Sequence, residues 1–384
     1  MTQGGFMKKI AIACQGGGSQ TAFTAGVLKT FFELDLHKKM EIQSLSGTSG
    51  GAVCAVLSWY GLLKFAKGDT TPIQQRITDF WDDLSAKNPI EQFIDRYFVE
   101  LIRLTDSGAF PKIELSPLSS VAQTATTWLA KMIGRDNFTD LKKILETHVN
   151  FGEINSLVQP SSPVLFIGAA NVLTGELKKF SSLKKEINVN TILASAAVPS
   201  IFPPIKVGND YYWDGLFSDN PPVDELVRPV YVGAEKVPDE VWIIQINPMA
   251  CKKTPSSPLE IVDRRNEMVG NISFMHDMEK IEFLNLLLYT KAIKEEIFEK
   301  LGIVRREPIK IRLIRMSQVF QDNLDYVTKL SREPGYLNQL MEDGRKQALA
   351  FLKVVEEDKS PWEPKDSWAK EQLKQYGISR DHFK

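Results

Sequence analysis

The sequence predicts an α/β protein: three layers, α/β/α, around a mostly parallel central sheet, with a helical lid region inserted. Three observations lead there. Residues 9–14, "KIAIAC", form after Lys9 an unbroken apolar run, the mark of a strand covered on both faces. Two strand–turn–helix units follow one another at the start of the chain, an order that feeds parallel sheets. Buried-strand runs then return at 162–172 and 240–248, beyond a stretch of amphipathic helices.

Taken in order, residues 9–14 are the first strand and "QGGGSQ" is its turn. From Thr21 to Leu36, Ala25, Leu28, Phe32 and Leu36 recur at helical spacing. Residues 41–46 read as a second strand and 50–66 as a nearly all-apolar helix. Residues 67–160 differ, with helical stretches "QRITDFWDDL", "EQFIDRYFVELIRL", "SVAQTATTWLAKMI" and "DLKKILETHV" and few strand signals. They predict the inserted helical layer or lid. "SPVLFIGAANV" is again a buried strand, and "INVNTILASAAVPSIFPP" a helix stopped by prolines. "DYYWDGLFSDNPP" reads as strand, tight turn and loop, and "EVWIIQINP" as a further buried strand. A polar loop, "ACKKTPSSPLE", leads to a long helical pattern from Ile261 to Leu301, expected to break near Gly270. "IKIRLIRM" at 309–316 alternates as a last strand. The rest is mostly helix, with a polar tail after Asp358. The expected organisation is one domain over 8–320, holding the insertion at about 67–160. A helical extension over 321–384 packs on it.

Composition narrows the function. The 384 residues are 43% hydrophobic and 25% charged, with a net charge of -1. That is an ordinary globular balance, with no basic field for nucleic acid. Cys14, Cys54 and Cys251 are too few and too scattered for a disulfide framework or a cysteine metal site, so no metal or cofactor is expected. Cys14 and Cys54 sit in apolar runs and read as small buried hydrophobes, which suits a reducing compartment. No signal-peptide core and no membrane-length apolar run stands out, so the expectation is a cytoplasmic protein with peripheral membrane contact.

Two glycine clusters carry the chemistry. Gly47-Thr48-Ser49-Gly50-Gly51 matches Gly-x-Ser-x-Gly between a strand and a helix. In a nucleophile elbow the serine sits at the strained tip of such a turn, and the glycines let neighbouring backbone come close. A serine needs a base. The four histidines, His37, His148, His276 and His382, all lie in helical or tail settings, so a Ser-His-Asp triad has weak support. Asp214 is the better candidate. It ends an aromatic strand, and Gly215 permits a tight turn. A carboxyl against aromatic surface has a raised pKa, suited to a general base near neutral pH. Gly16, Gly17 and Gly18 follow the first strand and open a helix, a nest for a phosphate or a developing oxyanion. No Gly-Lys-Ser/Thr follows, so it is no Walker A loop, and Thr21 stands where a dinucleotide fingerprint has glycine.

In combination the blocks resemble the patatin-like phospholipases. "GGGSQTAFTAGVL", "GTSGG", "ASAAVPSIFPP" and "DGLFSDNPP" occur in that family's order and separation, across roughly residues 8–250. The resemblance implies a patatin-like fold and a Ser49–Asp214 dyad without histidine. Gly17 and Gly18, with Gly16 near, would hold the oxyanion. The implied reaction is metal-free hydrolysis of fatty acyl esters of the phospholipase A, lysophospholipase or esterase type. Two departures stand out. Gln20 and Thr21 occupy the positions where the family places Arg or Lys and then Gly after the glycine loop, and Leu216 follows Gly215 where the family has Gly or Ala. The alternative is a degenerate hydrolase, a non-catalytic phosphate- or lipid-binding α/β protein. The residues do not indicate an oligomeric state.

Overall fold

The computed structural model describes residues 7–106, 140–199, 202–251, 253–289, 292–300, 307–324 and 327–357. Eight strands form one sheet: β1 Lys9–Cys14, β2 Glu41–Gly47, β3 Val164–Asn171, β4 Leu177–Ser181, β5 Ile205–Val207, β6 Asp210–Asp214, β7 Glu240–Gln245 and β8 Lys310–Arg315. Their order is β5-β6-β3-β2-β1-β7-β8, with β4 also paired to β3. The pairs joining β3, β2, β1, β7 and β8 are parallel, and β4, β5 and β6 add antiparallel partners at one side.

Alternate residues of β1 feed two cores, which is why its whole run is apolar. Ile10, Ile12 and Cys14 face one layer, with helices α1 (Ala22–Glu33) and α2 (Gly50–Ala66). Ala11 and Ala13 face the other. The inserted region supplies α3 (Ile73–Leu84), α4 (Pro89–Asp106) and α5 (Leu141–His148). The predicted helical stretch "SVAQTATTWLAKMI" and the tail after Asp358 lie outside the described residues. Further on come α6 (Val189–Ser195), α7 (Pro258–Tyr289) and α8 (Pro334–Glu357).

The predicted break near Gly270 does not occur. The helix α7 runs through it for 32 residues, and a separate short helix follows at Glu295–Lys300. Gly270 is there for contact: a Cβ would lie 2.6 Å from Asn247 Nδ2 and 2.9 Å from Leu216 Cδ1. Strands β4 and β5 were not expected either. Both are short, and much of their surface is not buried, so no apolar run announces them.

Register places the site. Cys14 of β1 pairs with Gly47 of β2, so the turns after these two parallel strands leave the sheet side by side. Crevices at the carboxyl ends of parallel strands are the usual ligand positions in such sheets. On β3, Gly47 pairs with Ile167, and two residues further Ala169 pairs with Asp214. The opposite edge of β3 is taken by β4. Strand β6 therefore continues the edge that β2 vacates, and its last residue arrives where β2 stops.

Candidate active site

Only Thr48 and Ser49 separate β2 from α2. To turn the chain that sharply, Ser49 adopts φ 56 and ψ -129. A residue with a side chain enters this region at a cost of about 1–3 kcal/mol. Its neighbours are glycine for want of space. A Cβ on Gly47 would lie 2.4 Å from the Gly51 carbonyl oxygen, one on Gly50 2.2 Å from Thr21 Oγ1, and one on Gly51 2.2 Å from the Cys14 carbonyl oxygen. The strain is held by hydrogen bonds. The Ser49 N–H donates to Ser195 Oγ at 2.9 Å, and Ser195 Oγ donates to the Gly168 carbonyl at 2.6 Å. Thr48 Oγ1 donates to the Asp219 carbonyl at 2.5 Å.

Asp214 ends β6, and its Oδ1 accepts the Leu216 N–H at 2.8 Å across the turn. Gly215 is required there, because a Cβ would lie 2.6 Å from the Gly168 carbonyl oxygen. The Ser49 hydroxyl is close enough to the Asp214 carboxyl to act on its pKa. Asp214 is 1% exposed, and burial pushes its pKa up to about 7. The nearby Ser49 hydroxyl, the bond from Leu216 and the charge of Lys329 pull the other way. A carboxyl near that value exchanges a proton readily at neutral pH.

The glycine loop lies against the elbow. A Cβ on Gly16 would fall 2.6 Å from the Thr48 carbonyl oxygen and 2.8 Å from Ser49 Cβ. Of the three glycines expected to hold an oxyanion, Gly16 already has an acceptor: its N–H donates to Asn220 Oδ1 at 2.6 Å. Its contribution is close packing. The N–H groups of Gly17 and Gly18 have no acceptor among the described residues. Gly18 has φ +56, and Thr21 Oγ1 donates to its carbonyl at 2.6 Å.

The loop is set by a residue that sequence reasoning passed over. Gln15 is fully buried. Its Oε1 accepts the N–H groups of Ile246 and Asn247, and its Nε2 donates to Asn220 O, Gly270 O and Asn271 Oδ1. Ser195 and Asn220 went unassigned too, although both lie inside the quoted blocks "ASAAVPSIFPP" and "DGLFSDNPP". Their signal was position in a block; their partners are distant in sequence.

Loop, elbow and aspartate thus meet at one end of the sheet. The family model described as patatin-like phospholipase matches residues 12–227, more than half of the chain. The chain belongs to the patatin-like phospholipase family. This family is one of lipid hydrolases, and the α/β fold agrees with it. Among solved structures, this patatin-like chain is similar to VipD from Legionella pneumophila, at 16% identity and TM-score 0.40, covering 90% of this chain and 67% of that one. It is similar also to the human GIVD cytosolic phospholipase A2 in complex with methyl gamma-linolenyl fluorophosphonate. That match has 12% identity and TM-score 0.38, over 91% of this chain and 59% of that one. A third match is the ExoU–SpcU complex of Pseudomonas aeruginosa, at 16% identity and TM-score 0.25, over 77% and 57%. The chain spans about two thirds or less of each of those chains. A search of curated proteins finds no match to this sequence.

The histidines lie elsewhere. His148 Nε2 is 3.1 Å from Asp83 Oδ2, and His37 packs against Phe32 and Phe65. His276 is exposed on α7, and His382 lies outside the described residues. Cys14 and Cys54 are buried, and burial raises both thiols; Cys251 is exposed. No helix among the described residues is long and apolar enough to cross a membrane.

Proposed function

We propose that this chain hydrolyses fatty acyl esters of lipids through Ser49 and Asp214. The observation that carries this reading is that strand register brings the Ser49 elbow to the buried Asp214 carboxyl, whose pKa burial pushes up to about 7. Ser49 Oγ attacks the ester carbonyl carbon as Asp214 takes its proton. The carbonyl oxygen becomes an oxyanion held by the N–H groups of Gly17 and Gly18. Collapse breaks the ester C–O bond, and the leaving alcohol takes the proton back from Asp214. Water then attacks the acyl–Ser49 ester with Asp214 again as base, releasing the fatty acid and restoring the serine. Gly47, Thr48, Gly50 and Gly51 keep the elbow sharp, and Gly215 keeps Asp214 at its turn.

Two further features belong to this proposal. The inserted helices act as a lid, and the protein meets lipid at its surface. Exposed apolar side chains support the contact: Phe93 and Tyr97 on α4 are 66% and 56% exposed, and Met268 and Ile272 on α7 are also exposed.

The test is a panel of acyl esters of varied chain length and head group, run beside labelling by a fluorophosphonate. Wild type should release fatty acid and label at Ser49. Ser49→Ala should keep its fold and do neither. Turnover in Ser49→Ala would remove the proposal. A wild type that neither turns over nor labels, yet binds vesicles, would be the degenerate, lipid-binding form of the fold.

A further inference from the structure

We propose that Lys329 is a positioning residue of this site, delivering from a distant segment the positive charge that the glycine loop itself lacks. The inference rests on the Ser49–Asp214 reading above. Residues 15–21, "QGGGSQT", contain no cation. The loop instead recruits one. Gln20 Nε2 donates to Thr328 Oγ1 at 2.9 Å, tying down the turn Val327–Lys329. The turn packs directly on the loop: a Cβ on Gly18 would lie 2.2 Å from the Lys329 carbonyl oxygen. A glycine in the left-handed region thus provides both the bend and the space. The turn is held from the other side as well. The Asp95 carboxylate on α4 accepts the Arg332 N–H at 3.0 Å, and Arg332 Nε donates to the Leu84 carbonyl at 2.6 Å.

So anchored, the Lys329 ammonium reaches into a narrow recess of about 10 Å³ bounded by Gln20, Asn247, Asp263, Glu267 and Leu324. Nζ donates to Asn247 Oδ1 at 2.8 Å. Burial lowers the lysine's pKa, while Glu267, Asp263 and Asp214 raise it and favour the charged form. Glu267 is itself bonded to Arg264 at 2.9 Å. The groups that act on the Asp214 carboxyl are the Ser49 hydroxyl, the Leu216 N–H that it accepts at 2.8 Å, and the Lys329 charge. Lys329 is the cation in that set. Its field favours the carboxylate over the carboxylic acid, the form that can take the serine proton.

A purely structural ammonium, paired with Asp263 and Glu267, would leave Asp214 indifferent to it. The experiment separates the two. Wild type, Lys329→Met, Lys329→Arg and Thr328→Val are compared in two ways. One is the titration of the Asp214 carboxyl by difference infrared spectroscopy, assigned with Asp214→Asn. The other is kcat/KM against pH on an uncharged short-chain p-nitrophenyl ester, which has no head group to bind. In Lys329→Met the carboxyl should titrate higher by up to about one pH unit, the acidic limb of the rate should move with it, and Lys329→Arg should restore most of the shift. A folded Lys329→Met with both curves unmoved overturns the proposal. So do unmoved curves with a loss only on anionic phospholipid vesicles assayed beside the ester, which would make Lys329 a head-group contact. If Lys329→Met does not fold, Thr328→Val decides, since it keeps the lysine and cuts only the tether. A smaller shift in the same direction supports the proposal, and none overturns it. A wild type inert toward esters, with the carboxyl still shifted in Lys329→Met, would sink the hydrolase reading and leave this coupling standing.

Discussion

At Asp214 a single carboxyl carries two opposite demands. In the proposed reaction it must be ionised to serve as the base for Ser49, so hydrolysis should fall as pH drops below about 7. Well below that point, kcat/KM should decline about tenfold per pH unit. A pH–rate profile checks this, and a rate unchanged down to pH 5 would contradict the assignment. Stability runs the other way. The native carboxyl, raised to about 7, keeps a proton that the unfolded chain gives up near its ordinary value of 3.8. That contribution to stability is complete below the unfolded value and is lost as pH rises through about 7. Asp214→Asn carries no charge at any pH. It should therefore be more stable than wild type at pH 8, by roughly 2 kcal/mol or more, with the gap closing near pH 4. Urea unfolding at the two pH values measures it. Glu282, also pushed up to about 7 by burial, is present in both proteins and cancels in the comparison. A site residue that destabilises its own fold is the expected mark of function.

Among elements, the contact of α1 with α8 leaves no room for a single added carbon. A Cβ on Gly26 would lie 2.1 Å from the Met341 carbonyl oxygen, and one on Gly344 2.2 Å from the Phe23 carbonyl oxygen. The two helices meet backbone to backbone, and a methyl group there must push them apart. Each of Gly26→Ala and Gly344→Ala should cost about 1–3 kcal/mol, the price of overpacking. The double variant should lose less than the sum, because both substitutions open one contact. Thermal unfolding of the three variants tests it; unchanged midpoints would mean that the helices do not touch there. The same logic explains Gly270. Its neighbours lie on other segments, so it read as a breaker in the sequence and is in fact a contact residue within a continuous helix.

Over the whole molecule, α8 joins the first core through Leu337, Leu340 and Ala348. Phe351 stacks edge-on to Trp242 of β7 with ring centroids 4.8 Å apart. Segments more than a hundred residues apart in sequence thus close one interior. The site is assembled in the same way: its parts come from the ends of β1, β2 and β6, with α6, α7 and the turn at Val327–Lys329 around them.

What could be read without coordinates was whatever a local pattern encodes. Unbroken apolar runs marked β1, β3 and β7, because a strand covered on both faces has no polar residue to spare. Helical spacing marked α1, a long apolar stretch marked α2, and glycine clusters marked the two turns, because each turn needs its glycines within a few residues. The tertiary structure alone decided the rest. It committed the Gly16 N–H to Asn220, ran α7 straight through Gly270, added β4 and β5 at the side of the sheet, and set Lys329 beside Gly18. Strands β4 and β5 are hairpin partners of β3 and β6, hidden in the sequence because their half-exposed residues form no apolar run; each of the others depends on a partner far away in the chain. A hydrogen-bond acceptor, a packing contact or a neighbouring charge leaves no periodicity in the sequence, and it exists only once folding has brought the two segments together.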